Sequence, residues 1–300
     1  MAEAILSQPH FQDPDKAREY LEALRWPEGA ICPHCGVIGG HYQLQGASHR
    51  PGLWKCKDCR NQFSVTVGTV FEDSKVPLHK WLQAVHLMCA SKKGISSKQL
   101  ERMLGVTYKT AWFMSHRIRE AMRDDEPILG GNGGIVEADE TFVGRRRPAV
   151  KRRGQQKKQA VFSLVERNGK VRSIHVPDVT AATLKEKLQK HVARDTRLVT
   201  DNAGQYRKAK ADFQSHETVN HLHGEYARGD VHTNTVEGYF SIMKRGIFGV
   251  FQHVSSQHLQ RYATEFDFRY NNRSALGVND VQRTDNALRG IAGRRLTYRM

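Results

Sequence analysis

The chain has 300 residues, 39% of them hydrophobic, and its 47 Lys and Arg against 31 Asp and Glu leave a formal net charge of +16. That length is ample for a buried core and for two or three domains, and no run of about 18 apolar residues is available to span a bilayer. So large a basic excess points to a polyanionic partner, nucleic acid first and a membrane surface second. The N-terminus, with Glu3, Asp13 and Asp15, lacks a signal-peptide layout, so the expectation is a cytoplasmic, nucleoid-associated protein.

Residues 1–30 read as a lead-in helix: Asp13 is a plausible N-cap, Pro14 fits the first helical position, and Pro27 stops the pattern. Residues 31–75 contain Cys32-x2-Cys35 and Cys56-x2-Cys59 with 20 residues between the pairs, the paired-knuckle spacing of a tetrahedral zinc site. Strands are expected through Leu53-Trp54-Lys55 and from Asn61 to Val67, and bound Zn would supply folding energy that so short a segment lacks. Cys89 stands alone in an apolar helical pattern and reads as a small core residue.

Over 76–123 the period becomes helical. One amphipathic helix carries Leu78, Trp81, Leu82 and Val85; Ser96-Ser97 caps a short second; Gly105 turns the chain; Thr107 caps a third that reaches Met122. This is a helix-turn-helix layout, whose recognition helix would offer Thr107, Tyr108, Lys109 and Arg117, with His116 and Arg119, to phosphates and base edges. A three-helix structural domain with an ordinary solvated face fits the same pattern.

Residues 124–134, with Pro127 and four glycines, read as a linker. Over 135–275, strands are expected at 134–143, 159–167, 170–176 and 196–201, with another near 217–223. Helices are expected near 180–193, 203–213, 234–246 and 256–271. Three early strands followed by alternating helix and strand give an α/β core of ribonuclease-H-like order, a mixed sheet flanked by helices, although other α/β folds share that order. The remainder, 276–300, is a basic tail with Arg283, Arg289, Arg294, Arg295 and Arg299, either a DNA-contacting arm or a packed helix.

Three acids in this region suit phosphodiester chemistry, which uses two divalent ions held by oxygen ligands. Asp139 lies in the strand Ile135–Val143, Asp201 ends the strand 197–201, and Glu237, with 35 residues between it and Asp201, opens a helix. Alternation puts Glu137, Asp139 and Thr141 on one face and Val136, Ala138, Glu140 and Phe142 on the other; it does not choose between Glu137 and Asp139, but the central position favours Asp139. Taken singly, Asp139 could be a solvated edge residue and Asp201 a helix cap. Glu237, Ser241 and Lys244 share one helical face at i, i+4 and i+7, opposite Val236, Tyr239, Phe240 and Met243. A carboxylate for metal and a Lys, with Arg245 beside it, for phosphate is a sensible pairing, and an amphipathic surface helix is the ordinary alternative. Between Arg145 and Lys158, eight of 14 residues are basic, including Arg145, Arg146, Arg147, Arg152 and Arg153, and none is acidic. Such a run is usually mobile and solvated; placed at the mouth of a metal site, it would also grip DNA backbone with salt-dependent affinity.

The chain resembles the IS1595 (ISXO2-like) insertion-sequence transposases, which carry a zinc ribbon ahead of a DDE-type catalytic domain. The resemblance rests on Cys32-Pro33-His34-Cys35-Gly36, Cys56-Lys57-Asp58-Cys59 leading into Phe63–Phe71, Asp139-Glu140-Thr141-Phe142-Val143-Gly144, Thr200-Asp201, and Asn234-Thr235-Val236-Glu237-Gly238-Tyr239-Phe240 with Lys244. It implies a ribonuclease-H-like core, two catalytic Mg or Mn ions, and terminal inverted repeats and target DNA as partners. It also implies Asp139 and Asp201 as the two aspartates and Lys244 as the trailing base. The third position is Asn or Glu in the family; here Asn234 and Glu237 lie at i and i+3, and Glu237 is favoured because an anionic oxygen binds a hard dication better than an amide. The expected reaction is cleavage at the element's ends and joining of the 3′-hydroxyl to target DNA, in a homodimer or larger synapse, because two ends must meet. The competing expectations are a ribonuclease-H-like nuclease or junction resolvase, which cuts without joining, and a non-enzymatic zinc-ribbon regulator.

Overall fold

The computed structural model describes residues 4–124, 128–144, 158–207 and 209–297. Its residues fall into two units, one formed by the chain up to Arg123 together with the segment from Gly277, the other by Asp124–Leu276. Among the described residues no helix is long and apolar enough to cross a membrane.

In the first unit a short helix α1 (Pro9–Gln12) ends at Asp13, whose carboxylate accepts from the backbone N–H groups of Asp15 and Lys16 and so caps α2 (Pro14–Arg25). Helix α2 buries Ala17 and Leu21. Three strands follow, β1 (His41–Gln43), β2 (Trp54–Cys56) and β3 (Gln62–Phe63), in an antiparallel sheet of that order. The first strand was not foreseen and the third is shorter than expected, because after Phe63 the chain folds into turns such as Val67 N–H to Ser64 O. Trp26 meets Trp54 and Phe63 edge-on at 6.3 and 5.8 Å, which gives this small layer an aromatic core.

Two tight turns present the cysteines. Gly36, at φ 77°, lets its N–H reach Cys32 O, and Cys56 N–H reaches Asn61 O across the second turn. The four Sγ atoms lie within 4.8 Å of one another, with Cys32–Cys59 at 3.6 Å and Cys35–Cys56 at 3.7 Å. A tetrahedral ion with Zn–S bonds of about 2.3 Å requires sulfur spacings of about 3.8 Å, so the donor set fits zinc in both chemistry and size. The Asn61 backbone N–H, the largest influence, holds the Cys59 thiol down to about 7, toward the thiolate a metal needs.

Helices α3 (Leu78–Ala90), α4 (Ser97–Leu104) and α5 (Tyr108–Ala121) complete most of this unit. Ser96 caps α4, Gly105 ends it in the left-handed region at φ 60°, and Thr107 caps α5 by accepting from Thr110 N–H. Thr107, Tyr108 and Lys109 are exposed, and Lys98 Nζ sits 5.0 Å above the Tyr108 ring. The rest of the expected recognition face needs correction. His116, Arg117 and Arg119 are buried, and Arg117, 5% exposed, donates to Glu72 O and Leu296 O and stacks on Phe113. A guanidinium committed to backbone carbonyls inside the unit is not available to a phosphate.

The C-terminal segment is a packed helix, α9 (Asp280–Arg289), not an extended arm. Thr284 Oγ1 meets His86 Nδ1 at 2.9 Å, Tyr20 donates to Asp285, and Val70 N–H donates to Ile291 O.

The second unit is built on one mixed sheet. Its strands are β4 (Ile135–Val143), β5 (Gln159–Glu166), β6 (Val171–Val176), β7 (Arg197–Asp201) and β8 (Ser215–Val219), in the order β6-β5-β4-β7-β8. The pairs β6/β5 and β5/β4 are antiparallel; β4/β7 and β7/β8 are parallel. Helix α6 (Ala181–His191) covers one face, where Val136, Ala138, Phe162, Leu164, Leu184, Leu188 and Leu198 form a core. A small hairpin, β9 (Ala227–Arg228) and β10 (Val231–His232), leads into α7 (Asn234–Gly246), and α8 (Ser256–Asn271) follows. On that second face Val143, Val161, Val165, Val236, Phe240, Met243, Leu259 and Phe266 form another core. Each fully buried side chain of this size contributes about 1.5–3 kcal/mol, so both helical layers are firmly held.

The helix expected at 203–213 is instead two 3-10 turns, Gly204–Tyr206 and Ala209–Ala211. Tyr206 and Gln205 are drawn to the Glu140 carboxylate on β4, and that tertiary anchoring outweighs a continuous helical ladder. Strand β8 begins and ends earlier than expected, since residues 221–223 turn back in a 3-10 helix.

Removing zinc with a chelator, or replacing Cys56 with Ser, is expected to unfold the ribbon. Metal content and tryptophan fluorescence, measured in a chain whose Trp81 and Trp112 are replaced by Phe so that it reports Trp26 and Trp54, check this; an unchanged emission spectrum after metal loss would show that the aromatic core suffices alone.

Candidate active site

Strand β4 alternates as its sequence requires. Val136 and Ala138 enter the core under α6, while Glu137, Asp139, Thr141 and Val143 turn toward α7. The three acids of β4 have different surroundings. Glu137 is fully buried and accepts from Arg167 Nε at 2.7 Å, from Thr235 N–H and Oγ1 at 2.8 Å each, and from Val236 N–H at 3.0 Å. Glu140 points to the other face and accepts from Tyr206 and from Gln205. Asp139 accepts from the backbone N–H of Glu140 at 2.7 Å and opens onto a pocket. Of the two candidates that alternation left equivalent, Glu137 is therefore occupied by hydrogen bonds and Asp139 faces open space.

That pocket, about 450 Å³, is lined by Asp139, Glu140, Thr141, Glu237, Phe240, Ser241, Lys244 and Arg245. Asp139, Glu237, Lys244 and Arg245, singled out from the sequence, thus meet in one place. Helix α7 presents Glu237, Ser241 and Lys244 along one face, while Val236, Tyr239, Phe240 and Met243 bury on the other. Arg245 is steadied by donating to Ser241 O and Oγ.

Asp201 is not among the pocket-lining residues, yet it stands close by. Strand β7 pairs in parallel with β4 at Ile135↔Arg197, Val136↔Leu198 and Glu137↔Val199, and the same offset two residues on brings Asp201 level with Asp139. Neighbouring strands run about 4.8 Å apart, and the negative charge of Asp201 is felt at Asp139. Its Oδ1 accepts from Ala203 N–H, so Asp201 also starts the following turn.

Glu237 is half exposed; Thr233 Oγ1 donates to it at 3.2 Å, and His221 Nε2 lies 3.4 Å from the same Oε1. Asn234 is exposed and does not line the pocket. Sequence reasoning missed His221 and the bonding role of Glu137; nothing local marks the first, whereas the i, i+2 spacing to Asp139 puts Glu137 on the relevant face. Arg145, Arg146, Arg147, Arg152 and Arg153 lie outside the described residues.

The electrostatics of the pocket favour a cation. Burial, the largest cause, together with the negative charges of Glu140, Asp201 and Glu237, pushes the Asp139 carboxyl up to about 7 against the opposing Glu140 N–H. Without metal, folded Asp139 keeps its proton to about pH 7, while the unfolded chain loses it near pH 3.8. Between those values the folded state binds the extra proton, so its stability falls as pH rises through the window. Asp139→Asn is accordingly expected to stabilise the metal-free protein above pH 7, by about 2 °C or more in Tm, and to have no such effect below pH 4. Thermal denaturation at the two pH values checks the difference.

Comparison with known proteins agrees with this organisation. Residues 131–271 match the family model described as an ISXO2-like transposase domain, and residues 12–62 match the one described as a transposase zinc-ribbon domain. An uncharacterized protein in transposable element ISH50 of Halobacterium salinarum is 31% identical over 277 residues, covering 86% of this chain and 91% of that protein. The crystal structure of the Mos1 strand transfer complex aligns with 65% of this chain and 77% of its own, at 13% identity and a TM-score of 0.22, a level that fixes neither fold nor function. With both parts of its sequence matched and a relative aligned over most of its length, the chain belongs to the ISXO2-like family of insertion-sequence transposases.

Proposed function

We propose that the protein cleaves DNA at the terminal inverted repeats of its insertion sequence and joins the freed 3′-hydroxyl to target DNA. The observation that carries this is the convergence of Asp139, Glu237 and Lys244 on one pocket with Asp201 level with Asp139 on the next strand. The sheet order, three antiparallel strands followed by two parallel ones, supports a ribonuclease-H-like reading of this unit.

Asp139, Asp201 and Glu237 would hold two divalent ions. When bound, such ions activate the attacking oxygen and stabilise the leaving oxygen of an in-line displacement. Lys244 and Arg245 face the same pocket and neutralise phosphate charge at or beside the scissile bond. In the first step water displaces the 3′ oxygen at the element's end; in the second that hydroxyl displaces an oxygen of a target phosphodiester, one bond breaking as one forms. The turn between α4 and α5, with Thr107, Tyr108 and Lys109 exposed at the start of α5, supports a helix-turn-helix contact to DNA, from which Arg117 is excluded by its burial. Two DNA ends must meet, so a homodimer or larger synapse forms part of the proposal.

With a duplex bearing the terminal inverted repeat and Mg²⁺ or Mn²⁺, alanine at Asp139 or Asp201 is expected to abolish cleavage, and Lys244→Ala to slow it on the order of 10²-fold. Glu237→Gln should be far more damaging than Asn234→Ala. Cleavage that survives both aspartate changes would remove the catalytic assignment, and wild-type cutting with no joining to a second duplex would favour a nuclease.

A further inference from the structure

Helix α7 lacks a cap of its own. Thr233 precedes it, but that side chain makes no capping bond to the helix; its hydroxyl donates instead to Glu237. The first-turn N–H groups of Thr235 and Val236 are taken by Glu137 Oε2, from the neighbouring sheet, and Thr235 Oγ1 by Oε1. A carboxylate here meets both needs of a helix N-terminus, acceptors for orphan donors and a charge that suits the helix dipole.

The same carboxylate holds the approach to the helix. Arg167 donates to Glu137 with Nε, to Asp230 O with Nη1 at 2.5 Å and to His232 O with Nη2 at 2.9 Å. Arg197 in turn binds both oxygens of Asp230. The hairpin before α7 is thereby tied to the residue that follows β5, to β7 and to β4. Glu137 stands two residues from Asp139 on the same strand face, about 7 Å along the strand. One strand therefore carries a candidate metal ligand and the group that seats the helix bearing the other.

We infer that Glu137 is a positioning residue: an anionic cap supplied across the sheet that sets where Glu237 and Lys244 stand relative to Asp139. The inference rests on the metal-site reading above. It assigns no contact between Glu137 and metal or DNA.

The test uses the full chain and Mn²⁺ binding by calorimetry, with amide hydrogen exchange over residues 233–240 and Tm as companion readouts. Glu137→Gln keeps size but gives the site an NH2 where donors already converge. It is expected to weaken Mn²⁺ binding by about 10-fold or more, as outer-shell changes do, and to speed exchange at Thr235 and Val236. Wild-type affinity and exchange in this variant, beside lost affinity in Asp139→Asn, overturn the inference alone. Wild-type affinity in Asp139→Asn overturns the metal site and the inference with it. If Glu137→Gln does not fold, Thr235→Val decides: it deletes only the Oγ1 bond, and a severalfold loss of Mn²⁺ affinity at unchanged Tm supports the role, whereas unchanged affinity overturns it.

Discussion

Strand β4 is the middle strand of five, with a packed layer on either side, and it carries three acidic side chains. Putting a carboxylate there is costly unless hydrogen bonds replace its lost water. Each acid meets that constraint differently. Glu137 is saturated by Arg167 and the start of α7, and Glu140 is served by Tyr206 and Gln205. Asp139 accepts from the Glu140 backbone N–H and otherwise meets the like charges of its neighbours. Glu137 and Glu140 bind the elements packed on the sheet's two faces, and Asp139 faces the pocket. Bonding to the packed layers and exposure to the pocket are thus divided among neighbouring residues of one strand.

The first unit applies the same economy to basic residues. In a chain of net charge +16 one expects cations to be on the surface, yet α5 turns Arg117 and Arg119 inward to carbonyl and hydroxyl partners. Arg283 and Arg294 do likewise, donating to Cys89 O and to Glu120 O and Ala121 O. Part of the basic excess therefore holds helices together, through the five donors of a planar guanidinium, and the count of Lys and Arg overstates what is free to meet a polyanion.

What the sequence made legible had a local cause. The cysteine spacing, the Asp13 and Thr107 caps and the alternation of β4 all depend on residues within a few positions of one another. What stayed hidden depended on partners far along the chain. The stretch 203–213 has helical spacing at Tyr206, Ala209 and Phe213, but Glu140, over 60 residues earlier, bends it into 3-10 turns. The burial of Arg117 needs Leu296, and the bonds of Glu137 need Thr235 and Val236. For the site itself, period and residue type named Asp139, Glu237 and Lys244, whereas only the fold shows that they line one pocket and that Asn234 does not.

The return of the chain to its first unit has a consequence for synthesis. Ile291 and Leu288 are fully buried, Val70 donates to Ile291 O, and Gly293 donates to Gly68 O, so the first unit completes its core with residues made after the whole of the second. Domains generally form in order as they leave the ribosome. Here the unit begun first must wait until 124–276 has been made, and a nascent chain released early would carry its defect at the opposite end from the break.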